Sequence, residues 1–112
     1  MKIVDSFNIQ IWLGLREEYS DTRHTIEEVY SECQSVTNRI PNCYTITPTR
    51  FIYKDGYEDG VIIGLINYPR FPKEKEALLI DSLGLAEFLR KKFNQIRVSV
   101  TTPEKTYCLG LD

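Results

Sequence analysis

Residues 43–68, CYTITPTRFIYKDGYEDGVIIGLINY, form the stretch on which the architecture turns. From Cys43 to Tyr53 the chain is rich in Thr, Ile, Tyr and Phe, which suit a pleated, half-buried surface, while Pro48 has no amide hydrogen to give a neighbouring strand. That predicts an edge strand. Lys54 to Gly60 contains two Asp-Gly pairs and reads as a turn, after which Val61 to Tyr68 resumes as a strand and completes a hairpin. Val61, Ile62, Ile63, Leu65 and Ile66 are apolar almost without alternation, so this third strand is expected inside the sheet and buried on both faces.

Towards the N-terminus, Phe7, Ile9, Ile11, Leu13 and Leu15 alternate with Asn8, Gln10, Trp12 and Gly14, the period of a strand with one face turned to a core. Thr25-Ile26-Glu27-Glu28 then fits a capping box, in which the Thr25 hydroxyl accepts the Glu28 amide and the Glu28 carboxylate reaches back. The helix it opens carries Ile26, Val29, Tyr30, Cys33, Val36 and Ile40 on one stripe until Pro41-Asn42 stops it. Beyond the hairpin, Pro69-Arg70-Phe71-Pro72 breaks the sheet. Leu78, Ser82, Leu85, Leu89 and Phe93 then mark a second helix from Lys73 to Asn94, with a kink or break expected at Gly84. Ile96, Val98 and Val100 alternate as a fourth strand, and Thr102-Pro103-Glu104-Lys105 turns the chain into a short final strand through Tyr107, Leu109 and Leu111.

This order predicts an α+β fold, the ferredoxin-like βαββαβ arrangement, with an antiparallel sheet, two helices on one face and an extra C-terminal strand. Residues 1–112 read as a single domain, since no repeat or low-complexity linker divides them. First and third strands fall in the middle of such a sheet and the proline-bearing second strand at an edge. With both helices on one face, the apolar side chains that the third strand turns to the other face need a cover. A second copy of the chain is expected to supply it, making the protein a homo-oligomer. Over about residues 7–101 the element order resembles small ferredoxin-like oligomers of the PII signalling and CutA-like type, which implies a prominent loop between the second and third strands. The PII-type phosphate-binding glycine pattern is absent, and a single histidine argues against a CutA-like metal site.

Charge and composition exclude several classes. Fourteen basic residues against 16 acidic ones leave a net charge of -2, so no global positive field attracts nucleic acid. Arg90-Lys91-Lys92 sits where cations complement the end of a helix. No apolar run has the ~18 to 20 residues of a membrane span. Polar Asp5 arrives too early for the apolar core of a signal peptide, so a cytoplasmic product is expected. Cys33, Cys43 and Cys108 are too few and too scattered for a disulfide framework or a zinc site, and no metal or cofactor is expected.

Catalytic signatures are missing: there is no phosphate loop, nucleophile elbow or H-E-x-x-H pair. Paired acids at Glu17-Glu18, Glu27-Glu28 and Glu58-Asp59 read as solvated faces. Two stretches combine Arg with hydroxyls, amides and rings, namely Thr45–Tyr53 and Asn67–Pro72. Rings stack on planar ligands and the guanidinium fork holds phosphate or carboxylate, so Thr47, Thr49, Arg50, Tyr53, Asn67, Tyr68 and Arg70 are candidate ligand-binding residues. Arg16 joins Asn67 and Arg70 if the strand ends align. His24, just before the helix cap, suits an anion contact or a general base, and a Cys-His nucleophile pair with Cys43 is a further option.

The reading these residues favour is a non-enzymatic homo-oligomeric binding protein for a small anionic or nucleotide-like ligand near subunit contacts. The alternative is a structural or inhibitory protein-interaction module encoded by a phage or mobile element. An enzyme ranks third, with His24, Tyr68 or Arg70 as its candidates.

Overall fold

A computed structural model describes residues 1–18, 20–70 and 72–110. Its elements run β1 (Asn8–Gly14), α1 (Ile26–Thr37), β2 (Tyr44–Tyr53), β3 (Gly56–Ile66), α2 (Lys75–Lys92), β4 (Arg97–Thr101) and β5 (Thr106–Gly110). They build an α+β fold with one five-stranded sheet in the order β2-β3-β1-β4-β5, all neighbours antiparallel. The expected central pair is β3 and β1, and Pro48 lies on an edge strand. Phe71 and Leu111 lie outside the described residues.

Alternation sorts the sheet into two faces. Ile9, Ile11 and Leu13 of β1, Val61, Ile63 and Leu65 of β3, and Val98 and Val100 of β4 are all buried and pack with Val29, Cys33, Val36, Leu85 and Leu89 of the helices. At roughly 25 cal/mol per Å² of apolar surface, burial of this cluster is the main term holding the two layers together. Burial also pushes the Cys33 thiol up to about 11, so it stays protonated and behaves as a small hydrophobe. The other face is uncovered by helix and carries Gln10, Trp12 and Gly14 of β1 opposite Gly64, Ile62 and Gly60 of β3.

Four expectations change. β3 begins at Gly56, not Val61: only Lys54-Asp55 turns, with Asp55 at φ 62, and Asp59-Gly60 lies within the strand opposite Arg50 and Thr49. Cross-strand pairing overrode the local dipeptide signal. β3 is buried on one face only, since its other face holds Glu58, Gly60, Gly64 and a half-buried Ile62. Gly84 neither kinks nor breaks α2, which is continuous over Lys75–Lys92. At the start of α1, Thr25 Oγ1 accepts the Glu28 amide at 3.3 Å as expected, yet the Glu28 carboxylate turns to His24.

Candidate functional site

Arg16 lies two residues beyond the end of β1, and Asn67 follows the last residue of β3. Because β1 pairs antiparallel to β3, with Asn8 opposite Ile66 and Gly14 opposite Gly60, these two strand ends point in opposite directions and lie at opposite ends of the pair. Arg16 therefore does not join Asn67 and Arg70. Asn67 acts as a brace, its amide donating to the Lys73 carbonyl at 2.8 Å and accepting the Lys73 amide at 2.9 Å. Tyr68 borders a cavity of about 510 Å³ beside Cys43 and Pro41, and a hydrogen bond with Cys43 pushes its hydroxyl pKa up. Arg70 lies exposed in the turn that follows.

Thr47, Thr49 and Tyr53 share the uncovered side of β2, whereas Arg50 points to the other side. There it pairs with Asp59 at 2.8 Å, and its guanidinium lies 4.2 Å from the Tyr57 ring centre. His24 is a clamp in place of an open base. Nδ1 meets Glu28 Oε2 at 2.7 Å, Nε2 meets Glu17 Oε1 at 3.0 Å, and Phe93 packs edge-on against the ring. Asn94 donates to the same Glu17 oxygen at 2.9 Å; this bond first, and His24 second, hold the Glu17 carboxyl below its usual range. The clamp and the His24 amide, which donates to the Leu15 carbonyl at 2.7 Å, fix the base of the loop between β1 and α1.

That loop and the uncovered face together frame a pocket of about 310 Å³, at the small end of ligand sites. Trp12 and Phe51 wall it, with ring centres 6.5 Å apart and planes at 55°. Each ring is anchored. Trp12 Nε1 donates to Thr101 Oγ1 at 3.1 Å, and Phe51 lies over Gly60, where a Cβ would run into the ring and the Leu13 carbonyl. Glu58, Gln95, Arg97 and Ser99 supply the polar lining, and Glu18 reaches in from the loop. Glu58 has a side chain only 20% exposed; its burial pushes the carboxyl pKa up, and Arg16, 3.9 Å away, partly opposes the rise.

Of the residues singled out in the sequence, Arg16 meets the lining of this pocket, standing 3.9 Å from Glu58 and accepting at its carbonyl from Gln95 Nε2. Trp12, Phe51, Glu58 and Gln95 were missed. A signal existed for Trp12, a large ring on the polar side of β1 between Gln10 and Gly14. Glu58 was hidden by its assignment to a turn.

The fold defines a small α+β protein with a pocket on its uncovered face lined by rings and carboxylates. No family model and no curated protein matches the chain. Two solved structures share its fold over nearly the whole length. One, a phage SAM lyase in complex with S-methyl-5'-thioadenosine, is 21% identical, spans 99% of this chain and 95% of its own, and has a TM-score of 0.82. The other, a phage SAM lyase in the apo state, is 20% identical, with coverages of 100% and 96% and a TM-score of 0.78. This corrects the expectation of a non-enzymatic binder. Both of these structures are of a phage SAM lyase, so the absence of familiar catalytic motifs carries no weight against an enzyme here.

Proposed function

We propose that the chain is an enzyme of the SAM lyase kind, acting on S-adenosylmethionine in the pocket between Trp12, Phe51 and Glu58. The observation that carries this reading is the full-length structural match to a phage SAM lyase in complex with S-methyl-5'-thioadenosine, beside a pocket that pairs aromatic walls with a half-buried carboxylate. S-adenosylmethionine and S-methyl-5'-thioadenosine differ by the four-carbon amino-acid arm. Leaving the latter means breaking the bond from sulfur to the arm's γ-carbon, with that electron pair returning to sulfur. The sulfonium charge vanishes as the bond breaks. In a lyase the arm makes up its own electron deficit, either by closing its carboxylate onto the γ-carbon or by losing a proton from the neighbouring carbon.

A site that favours this reaction strips water from the sulfonium, because desolvation destabilises a full charge more than the dispersed charge of the transition state. Trp12 and Phe51 supply the dry walls, and the ring faces attract the cation. Glu58 supplies the countercharge that brings the substrate in. The position of the reaction in the cytoplasm is part of the same reading; free Cys33, Cys43 and Cys108 suit a reducing compartment. So is a phage source, which the origin of the structural neighbours supports.

We also propose self-association, supported by Ile52 at 80% exposure and by the exposed Tyr53 and Tyr57 on the β2–β3 hairpin. Calorimetric titration tests the site. S-methyl-5'-thioadenosine is expected to bind the wild type and to lose most of its affinity for Trp12→Ala. Absence of binding by the wild type, or equal binding by both, contradicts the assignment.

A further inference from the structure

Gly14 ends β1 on the uncovered face, and two oxygens from separate elements converge on the point where its Cβ would stand. Gln95 Oε1 is 2.8 Å from that point and Glu58 Oε2 is 3.1 Å from it. The orientation of the Gln95 amide is fixed by its surroundings. The residue is only 7% exposed, and Nε2 donates to the Arg16 carbonyl at 2.9 Å and to the Phe93 carbonyl at 3.0 Å. Both amide hydrogens are thereby committed, so Oε1 can act only as an acceptor. Both side chains also line the pocket beside Gly14, so that end of it is bounded by a neutral acceptor and a carboxylate, and the two oxygens close over Gly14 so tightly that a Cβ there would displace one of them.

A compact cation with several N–H donors matches that end of the pocket. A primary ammonium brings three donors and a charge for the carboxylate, whereas an adenine amine brings two donors and no charge. The arm that distinguishes S-adenosylmethionine from S-methyl-5'-thioadenosine carries one primary ammonium. Resting on the function proposed above, we infer that Gln95 is a specificity-determining residue that reads the α-ammonium of the substrate, held with Glu58 over Gly14. The pocket thereby selects nucleosides that still carry the amino-acid arm and releases the product that has lost it.

Two stable probes separate the halves of the substrate: S-methyl-5'-thioadenosine, without the arm, and S-adenosylhomocysteine, with the arm and a neutral sulfur. Each is titrated by calorimetry into the wild type, Gln95→Met and Gly14→Ala. Gln95→Met removes the acceptor, and Gly14→Ala keeps both side chains but forces their oxygens apart, its Cβ standing 2.8 Å from Gln95 Oε1, so the second variant serves if the first fails to fold. Both variants are expected to bind S-methyl-5'-thioadenosine within about twofold of the wild type and S-adenosylhomocysteine roughly tenfold or more weakly, the usual weight of a charged hydrogen bond. Undiminished S-adenosylhomocysteine binding overturns the inference. Equal loss of both probes does too, since it assigns that end of the pocket to the nucleoside half, as does a wild type that binds S-methyl-5'-thioadenosine alone. A wild type that binds neither probe overturns the SAM reading itself.

Discussion

Arg16 Nε stands 3.9 Å from Glu58 Oε1, near enough for attraction and too far for a hydrogen bond, and this buried Nε has no hydrogen-bond partner among the described residues. Glu58 is thus left with a loose countercharge, and burial keeps its carboxyl pKa above the ordinary range. A group raised in this way stabilises the fold while protonated and loses that contribution as pH rises through its folded-state value. At neutral pH Glu58→Gln is therefore expected to melt higher than the wild type, and to bind S-adenosylmethionine more weakly. A melting point unchanged or lowered by the substitution would count against the burial argument.

Affinity for the cationic substrate should rise with pH as Glu58 ionises, over a window lying above the usual carboxylate titration. Arg16 lowers the Glu58 pKa, so Arg16→Ala moves that window to higher pH. Titrations across the acidic range check this; a window that stays in place on removing Arg16 would rule out the coupling.

Gly84 lies inside the continuous helix α2, and a Cβ built there meets nothing within 4 Å. Gly84→Ala should stabilise the protein by about 1 kcal/mol, the propensity difference of an open helix site. Denaturant unfolding at constant slope measures it. In the opposite direction, Leu89→Ala removes a fully buried side chain from the core and should cost about 2–5 kcal/mol.

The loop clamp gives a separate acid dependence. Glu17 is held below its usual range chiefly by Asn94 and then by His24, so its contribution is present above the unfolded-state value and disappears as pH falls through the folded one. Asn94→Ala should flatten the fall in melting temperature on acidification. An identical pH profile in that variant would show the bond to be without consequence.

Much of the frame could be read from periodicity: the alternation of Phe7 to Leu15, the stripe from Ile26 to Val36 and the proline on β2 reflect local geometry that every strand or helix must obey. The pocket was largely illegible, because its residues come together only through register. Trp12, Phe51 and Gln95 are 39 or more positions apart from one another or brought close by three different strand and corner contacts, and no spacing rule connects them. Glu58 looked like a solvated turn residue because Asp59-Gly60 mimics a hairpin signal, yet Gly60 is there to pass beneath the Phe51 ring. The arginines at 50 and 70 drew notice by composition, and parity and strand direction took them elsewhere.

Self-association is checked by light scattering at micromolar concentration. A mass at a multiple of 13.1 kDa is expected, and a clean 13.1 kDa species would remove the proposal.

The most direct test of the central claim is a time course with purified protein and S-adenosylmethionine, followed by chromatography and mass spectrometry. The expected result is loss of S-adenosylmethionine matched mole for mole by S-methyl-5'-thioadenosine, at a rate sharply reduced in Trp12→Ala and Glu58→Gln. Substrate that persists at the rate of a protein-free control, or product formed equally fast by both variants, would contradict the account.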